Sequence, residues 1–130
     1  MDKYVTELIG TFFLVLTIGC TVIGAGAGLM APVAIGSVLM VMIFAGGHIS
    51  GAHYNPAVTL AVFLRGRCPA ADVGPYLAAQ VAEAVLAALV VKFLKAGVSV
   101  VAIAPQALPA VVVEFLFTFA LCYVVLNVAT

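Results

Sequence analysis

The residues of this chain with the clearest chemical potential lie in one polar stretch, 46–60, which reads GGHISGAHYNPAVTL within an otherwise apolar sequence. Asn55 is a good helix N-cap, and Pro56 suits the first helical position because its missing N–H would be unpaired there anyway. Glycines at positions 46, 47 and 51 allow the backbone that precedes Asn55 and Pro56 to leave helical geometry. The pattern predicts a loop that leads into a helix.

The predicted helix is about half as long as a membrane is thick. It runs from Pro56 to Arg65, which is roughly 15 Å at about 1.5 Å per residue, whereas the hydrocarbon core of a bilayer is about 30 Å thick. If Arg65 and Arg67 lie at the water interface, Asn55 lies near the membrane midplane. Polar backbone at that depth is tolerated only where it lines a water-filled cavity or is buried in protein. We interpret the stretch as a re-entrant pore loop; the alternative is an ordinary loop before a short interfacial helix.

The composition excludes an ordinary soluble fold, because 66% of the residues are hydrophobic and only 8% are charged, against about 25% charged residues in soluble domains. A formal net charge of zero suggests no nucleic-acid or acidic partner. The three cysteines lack metal or redox spacing, and His48 and His53 do not share a helical face. We therefore predict no metal and no cofactor. We also predict no enzymatic activity, because no nucleophile–base pair is apparent.

The apolar segments predict four membrane spans and one half-span. The spans run from about Tyr4 to Ala27, Val33 to Gly47, Pro75 to Val91 and Ala110 to Asn127, with a half-helix over 55–66. One end of the bundle carries Lys3, Arg65 and Arg67, and the other carries Lys92 and Lys95. This bias slightly favours a cytoplasmic location for the Lys3 end.

The chain contains an internal repeat. Glu7 and Thr11 recur as Glu114 and Thr118, 107 residues later, each pair followed by Phe. An odd number of crossings between the copies makes them enter the membrane from opposite faces, which is typical of an inverted-topology repeat. Residues 1–109 are then a first repeat of three spans plus the half-helix, and residues 110–130 are the first span of a second, truncated repeat.

These residues resemble the aquaporin and glycerol-facilitator family, the major intrinsic proteins. Residues 50–59 resemble the family's first Asn-Pro-Ala box, and the two Glu-x-x-x-Thr-Phe segments resemble the start of its two repeats. The resemblance implies an all-α, aquaporin-like membrane protein with about four transmembrane helices, one re-entrant half-helix and an incomplete inverted repeat. It also implies a passive channel for water and small uncharged solutes such as glycerol. The channel would be a multi-pass tetramer in the plasma membrane, the inner membrane of the cell.

The resemblance also implies roles for individual residues. The Asn55 amide would donate to a passing solute, Pro56 and Ala57 would pack against an opposite half-helix, and Ile35 would occupy the filter position. The backbone carbonyls that line the path would be those of Gly51, Ala52, His53 and Tyr54. Pore-loop backbone would be held by Glu7 and Glu114, while His48 would be a packed, hydrogen-bonded helix-end residue. Because Ile35 is not aromatic, we expect a wider or more apolar filter that admits small alcohols.

Two features leave alternatives open. A second Asn-Pro-Ala box is expected beyond Thr130, so we expect these residues to be the first part of a longer channel and to conduct poorly alone. The alternatives are a non-conducting fragment or subunit of a membrane channel, and a coupled transporter with a re-entrant hairpin. Glu83, unusual in an Ala-rich span, either pairs with Gln80 one turn earlier or lies at an oligomer surface.

Overall fold

The computed structural model describes residues 2–100 and 103–130, and these are helical, with no strand among them. The α-helices are α1 (Lys3–Val22), α2 (Ala31–Ser50), α3 (Pro56–Leu64), α4 (Ala70–Leu94) and α5 (Ala107–Val128), with a short 3-10 turn over Gly28–Met30. Four helical segments, Lys3–Val22, Gly28–Ser50, Ala70–Leu94 and Ala107–Val128, are long and apolar enough to cross a membrane. The predicted all-α membrane fold with a half-helix is confirmed.

Several predicted helix ends are wrong. The first helix ends at Val22 rather than Ala27, because the backbone turns at Gly24, whose φ is +68°. The α3 helix ends at Leu64 rather than 66, and Gly66 follows with a φ of +75°. The fourth helix begins at Ala70, with Pro75 inside it rather than at its start. Proline is tolerated inside membrane helices when neighbouring groups satisfy the freed carbonyl, so proline is a poor marker of a helix start here.

Helices α1 and α4 run side by side in the same direction. At one end, Lys3 Nζ lies 2.6 Å from Asp72 Oδ2 and the Tyr4 hydroxyl donates to Asp72 Oδ1 at 2.8 Å. Toward the other end, Gly19 lies against the side chain of Val91 so closely that a Cβ at this position would overlap it. Small residues of this kind allow membrane helices to approach closely. Helix α1 also packs against α2 and is therefore central to the bundle.

Helix α3 packs between α4 and α5. Val58, Val62 and Cys68 form a buried cluster, and the part of α5 packed against it is Leu121, Cys122, Val125 and Leu126. The rest of α5 is largely exposed, and Phe115, Phe119 and Tyr123 stack along its open face with ring centroids 6.3 and 6.2 Å apart. An open apolar face suits contact with lipid or with further helices.

Candidate functional site

The polar loop folds back along the helix that precedes it. Helix α2 ends at Ser50, and Gly51 reverses the chain in the left-handed conformation, with a φ of +85°. The Tyr54 hydroxyl then donates to the carbonyl oxygen of Met42 at 3.0 Å. Met42 lies eight residues before Ser50 in α2, a rise of roughly 12 Å. Helix α3 therefore starts well inside the bundle and leads out again, which is the re-entrant path that the sequence predicts.

Glu7 of α1 anchors this loop. Its side chain is fully buried, and its two carboxylate oxygens accept four hydrogen bonds. The donors and their distances are the Ser50 hydroxyl at 2.8 Å, His53 N–H at 2.9 Å, Tyr54 N–H at 2.7 Å and Gln80 Nε2 at 2.8 Å. A buried carboxylate is costly unless its oxygens are satisfied in this way. Glu7 thereby holds the N–H groups of His53 and Tyr54 toward the interior of the helix bundle.

The loop holds two non-glycine residues in the left-handed region. The φ angles of Ala52 and Tyr54 are 50° and 48°, and such a conformation costs roughly 1–2 kcal/mol per residue for an L-amino acid. The Ser50 hydroxyl accepts from Ala52 N–H at 3.0 Å and Glu7 accepts from Tyr54 N–H, which stabilises both turns. Within the described part of the chain, the carbonyls of residues 51–54 accept no hydrogen bond. They are therefore available as acceptors.

Asn55 begins α3 as the sequence predicts. Its Oδ1 accepts from Ala57 N–H at 2.8 Å, and Pro56 follows in the first turn. Since this bond fixes the amide orientation, Nδ2 points its hydrogens elsewhere, and no acceptor for them lies among the described residues. Asn55 and Pro56 border an open hollow of about 490 Å³ between α1 and α4. Apart from Asn55, Thr11 and Gln80, the residues that line this hollow are mostly apolar.

The His53 ring is packed into the protein. Its Nδ1 lies 3.2 Å from Thr59 Oγ1, and its centroid lies 4.9 Å from that of Tyr76, whose hydroxyl donates to the Ser50 carbonyl at 2.7 Å. Because the Thr59 hydroxyl donates to the Asn55 carbonyl, the network assigns the hydrogen of the His53–Thr59 bond to Nδ1. His53 also borders a polar cavity of about 330 Å³ near the start of α4. The ring thus packs in the core, while the His53 carbonyl has no hydrogen-bond donor among the described residues.

Three predicted site residues lie apart from the loop. Ile35 is half-buried in α2, seven residues before Met42, which places it roughly 10 Å along the helix from the Tyr54 hydroxyl. His48 is exposed in the last turn of α2, and its side chain makes no hydrogen bond within the described residues, so its role as a packed, hydrogen-bonded residue stays a prediction. Glu114 is exposed on α5 beside an open apolar hollow, and none of the described backbone bonds to it.

Sequence reasoning missed several residues that build the site. Gln80 Nε2 donates to both Glu7 and Thr59, at 2.8 and 3.1 Å, and its side chain is only 2% exposed. Of the two alternatives for Glu83, the pair with Gln80 is not formed, because Gln80 Nε2 bonds to Glu7 and Thr59 instead, and Glu83 is buried on the same helix. A lone polar side chain in an apolar span itself indicates a functional or paired residue, and Gln80 is such a side chain in α4. The side-chain role of Tyr54 carried no comparable signal.

Sequence comparisons link the chain to one family of proteins. The model of the family described as "Major intrinsic protein" matches residues 1–130. The chain is 39% identical to Aquaporin NIP1-3 of Oryza sativa subsp. japonica, over 99% of this chain and 49% of that protein. It is 40% identical to Glycerol uptake facilitator protein-like 6 of Lactiplantibacillus plantarum, over 100% of this chain and 64% of that protein. Aquaporin Z of Rhodopseudomonas palustris is 42% identical over 74% of this chain and 43% of its own length. The chain spans about half the length of the curated relatives it matches.

Proposed function

This chain belongs to the major intrinsic protein family, and we propose that its residues form half of a passive channel for water and small uncharged solutes such as glycerol. The observation that carries the proposal is the arrangement of the loop over residues 51–55. Glu7 holds the N–H groups of His53 and Tyr54, while the carbonyls of residues 51–54 and the Asn55 amide hydrogens have no partner among the residues that the structure describes. Polar backbone at membrane depth needs protein or water as its partner.

The arrangement suits the passage of neutral hydrogen-bonding molecules. Water or a polyol donates its hydroxyl hydrogens to successive carbonyls of residues 51–54 and accepts from Asn55 Nδ2. The N-terminus of α3 directs its partial positive charge toward the same point, which disfavours cations and protonated water there. Glu7 carries the nearby negative charge, but four donors surround its oxygens. The Glu7 charge therefore stabilises the loop rather than binding the solute.

We propose glycerol as a solute beside water for two reasons. Ile35 supplies an aliphatic rather than an aromatic side chain at the position that the resemblance assigns to the filter. One of the relatives is named for glycerol uptake. A polyol has a hydrocarbon side and a hydroxyl side, and it therefore fits a path with apolar residues opposite a row of carbonyls.

Osmotic shrinkage of proteoliposomes tests the proposal. We expect fast, low-barrier water flux from the chain extended by a second Asn-Pro-Ala repeat, and much slower flux from the chain alone. Asn55→Ala should lower the flux of the extended protein roughly threefold to tenfold, because loss of one hydrogen bond is worth about 0.5–1.5 kcal/mol. The control is Asn127→Ala, since Asn127 bonds only to the Tyr123 carbonyl within the described residues. Unchanged flux in folded Asn55→Ala would overturn the assignment of the pore loop.

We also propose that the channel acts in the plasma membrane as a homo-oligomer, a tetramer by its resemblance to the family. The large apolar side chains exposed on α2 and α5, among them Phe44, Phe117 and Val128, provide surface for contact between subunits. Native mass measurement of the detergent-solubilised protein tests this, and a monomer at all protein concentrations would contradict it.

A further inference from the structure

The Tyr54 side chain occupies a slot between two helices. It is 4% exposed, and the slot is made by Gly10 of α1 and Gly46 of α2. A Cβ added at Gly10 would overlap the Tyr54 ring, and one added at Gly46 would overlap its hydroxyl oxygen. Both glycines are needed because the Tyr54 ring and hydroxyl occupy the space that a Cβ at Gly10 or at Gly46 would fill. The slot therefore fits an aromatic side chain and leaves no space for a larger residue on either helix.

Tyr54 is held at both of its ends. Its N–H donates to Glu7 Oε2 at 2.7 Å, and its hydroxyl donates to the Met42 carbonyl at 3.0 Å. Between these two bonds the backbone takes a left-handed φ of 48°, which an L-residue adopts only where its surroundings over-determine it. The next residue is Asn55. The two anchors thus fix the direction in which the chain enters α3.

We propose that Tyr54 is a positioning residue, whose ring and hydroxyl set the height of Asn55 and of the carbonyl row against α2. The inference deepens the proposed channel function and rests on it. Met42 and Ile35 lie on the same helix, seven residues apart, so the hydroxyl bond fixes the spacing between the Asn55 end of the loop and the filter position. The ring holds the loop in its conformation, and the hydroxyl sets its register along α2.

The ring is tested by a double-mutant cycle in the slot. Gly10→Ala should displace the loop when Tyr54 is present and have little further effect in Tyr54→Ala, because the three nearest atoms to the added Cβ all belong to the Tyr54 ring. The readout is amide hydrogen exchange of residues 51–55 by mass spectrometry in lipid nanodiscs. We expect Tyr54→Ala and Gly10→Ala each to speed exchange at least tenfold, while α4 exchange stays the same. Additive effects of the two changes on hydrogen exchange would contradict the packing of the Tyr54 ring against Gly10.

The hydroxyl is tested by Tyr54→Phe, with Tyr123→Phe as the matched control because Tyr123 is 61% exposed on α5. We expect Tyr54→Phe, made in the chain extended by a second Asn-Pro-Ala repeat, to fold normally and to change the ratio of glycerol to water flux by at least twofold, with no change in the control. An unchanged ratio in a conducting protein would limit Tyr54 to a structural role and overturn the proposal. If no version conducts, including the unmutated one, the proposed channel function fails. Exchange at residues 51–55 then decides by itself whether Tyr54 holds the loop, and unchanged exchange in Tyr54→Ala would overturn the inference.

Discussion

At the scale of single residues, Glu7 shows how one buried acid organises a polar loop in a membrane. Its four donors come from three segments: the end of α2, the loop and α4. A carboxylate has enough lone pairs to accept all four, whereas a neutral amide presents one oxygen and adds two hydrogens of its own. An isosteric neutral side chain therefore cannot accept all four of the hydrogen bonds that the negatively charged Glu7 accepts.

Glu7→Gln should therefore destabilise the protein. The new amide would direct hydrogens at an N–H group and leave a buried donor unpaired, at a cost of about 1–3 kcal/mol. Glu114→Gln is the matched control, because Glu114 is exposed on α5 and changes at such positions are usually within about 0.5 kcal/mol. Chemical unfolding of the 130-residue chain in detergent measures both. Equal stability of the two variants would contradict the role given to Glu7.

Ile35 allows a second residue-scale prediction, on selectivity. Ile35→Phe adds an aromatic ring near the start of α2 and should narrow the path there. Glycerol is larger than water, so we expect its flux to fall severalfold more than water flux in reconstituted vesicles. Ile35→Leu keeps the side-chain volume and is the control. Equal loss of both fluxes, or no change, would show that Ile35 does not face the path.

At the scale of helices, the close approach of α1 and α4 brings Glu7 within reach of Gln80. The two helices are tied by Lys3 and Asp72 at one end and meet at Gly19 and Val91 toward the other. Valine is stiff at χ1 in a helix, so it has little freedom to move away from a larger neighbour. The fit at Gly19 therefore maintains the spacing that lets Gln80 reach the loop.

Gly19→Ala should separate α1 from α4 and destabilise the protein by roughly 1–3 kcal/mol, the usual cost of overpacking. The matched control is Gly36→Ala in α2, since a Cβ at Gly36 would meet no atom of the described residues within 4 Å. That change should be neutral or stabilising by up to about 1 kcal/mol, because alanine favours helices more than glycine does. Thermal unfolding in detergent compares the two. Restoration of Gly19→Ala by Val91→Ala would identify the contact, and its failure would argue against it.

At the scale of the whole molecule, a polar cavity lies beside the loop that joins α3 to α4. Arg67, Cys68 and Asp72 border it together with His53 and Tyr76. The positive charges of Lys3, Arg65 and Arg67 lie at this end of the bundle, and their excess over Lys92 and Lys95 slightly favours a cytoplasmic location. Burial raises the pKa of the Cys68 thiol above its ordinary value, which makes the thiolate scarce at neutral pH.

Chemical labelling of Cys68 therefore tests both the solvent access of the cavity and the orientation of the chain in the membrane. In a variant with Cys20→Ala and Cys122→Ala, a membrane-impermeant thiol reagent should label Cys68 from the cytoplasmic side only. The rate should keep rising with pH beyond the ordinary pKa of a thiol, because burial raises the Cys68 pKa and moves thiolate formation to higher pH. Mass spectrometry of right-side-out and inside-out vesicles measures it, with Cys68→Ala as the blank. Labelling from the outer side, or a rate independent of pH, would contradict the assignment.

The sequence by itself determined the membrane class, the half-helix and its cap, because these follow from local rules. Hydropathy over some twenty residues marks a span, and Asn-Pro marks a helix start wherever it occurs. Only the tertiary structure decided that Gln80 reaches Glu7, 73 residues away, and that Gly10 and Gly46 enclose Tyr54. These contacts depend on the register of α1 against α2 and α4. That register is set by the packing of many side chains at once, and no short stretch of sequence contains it.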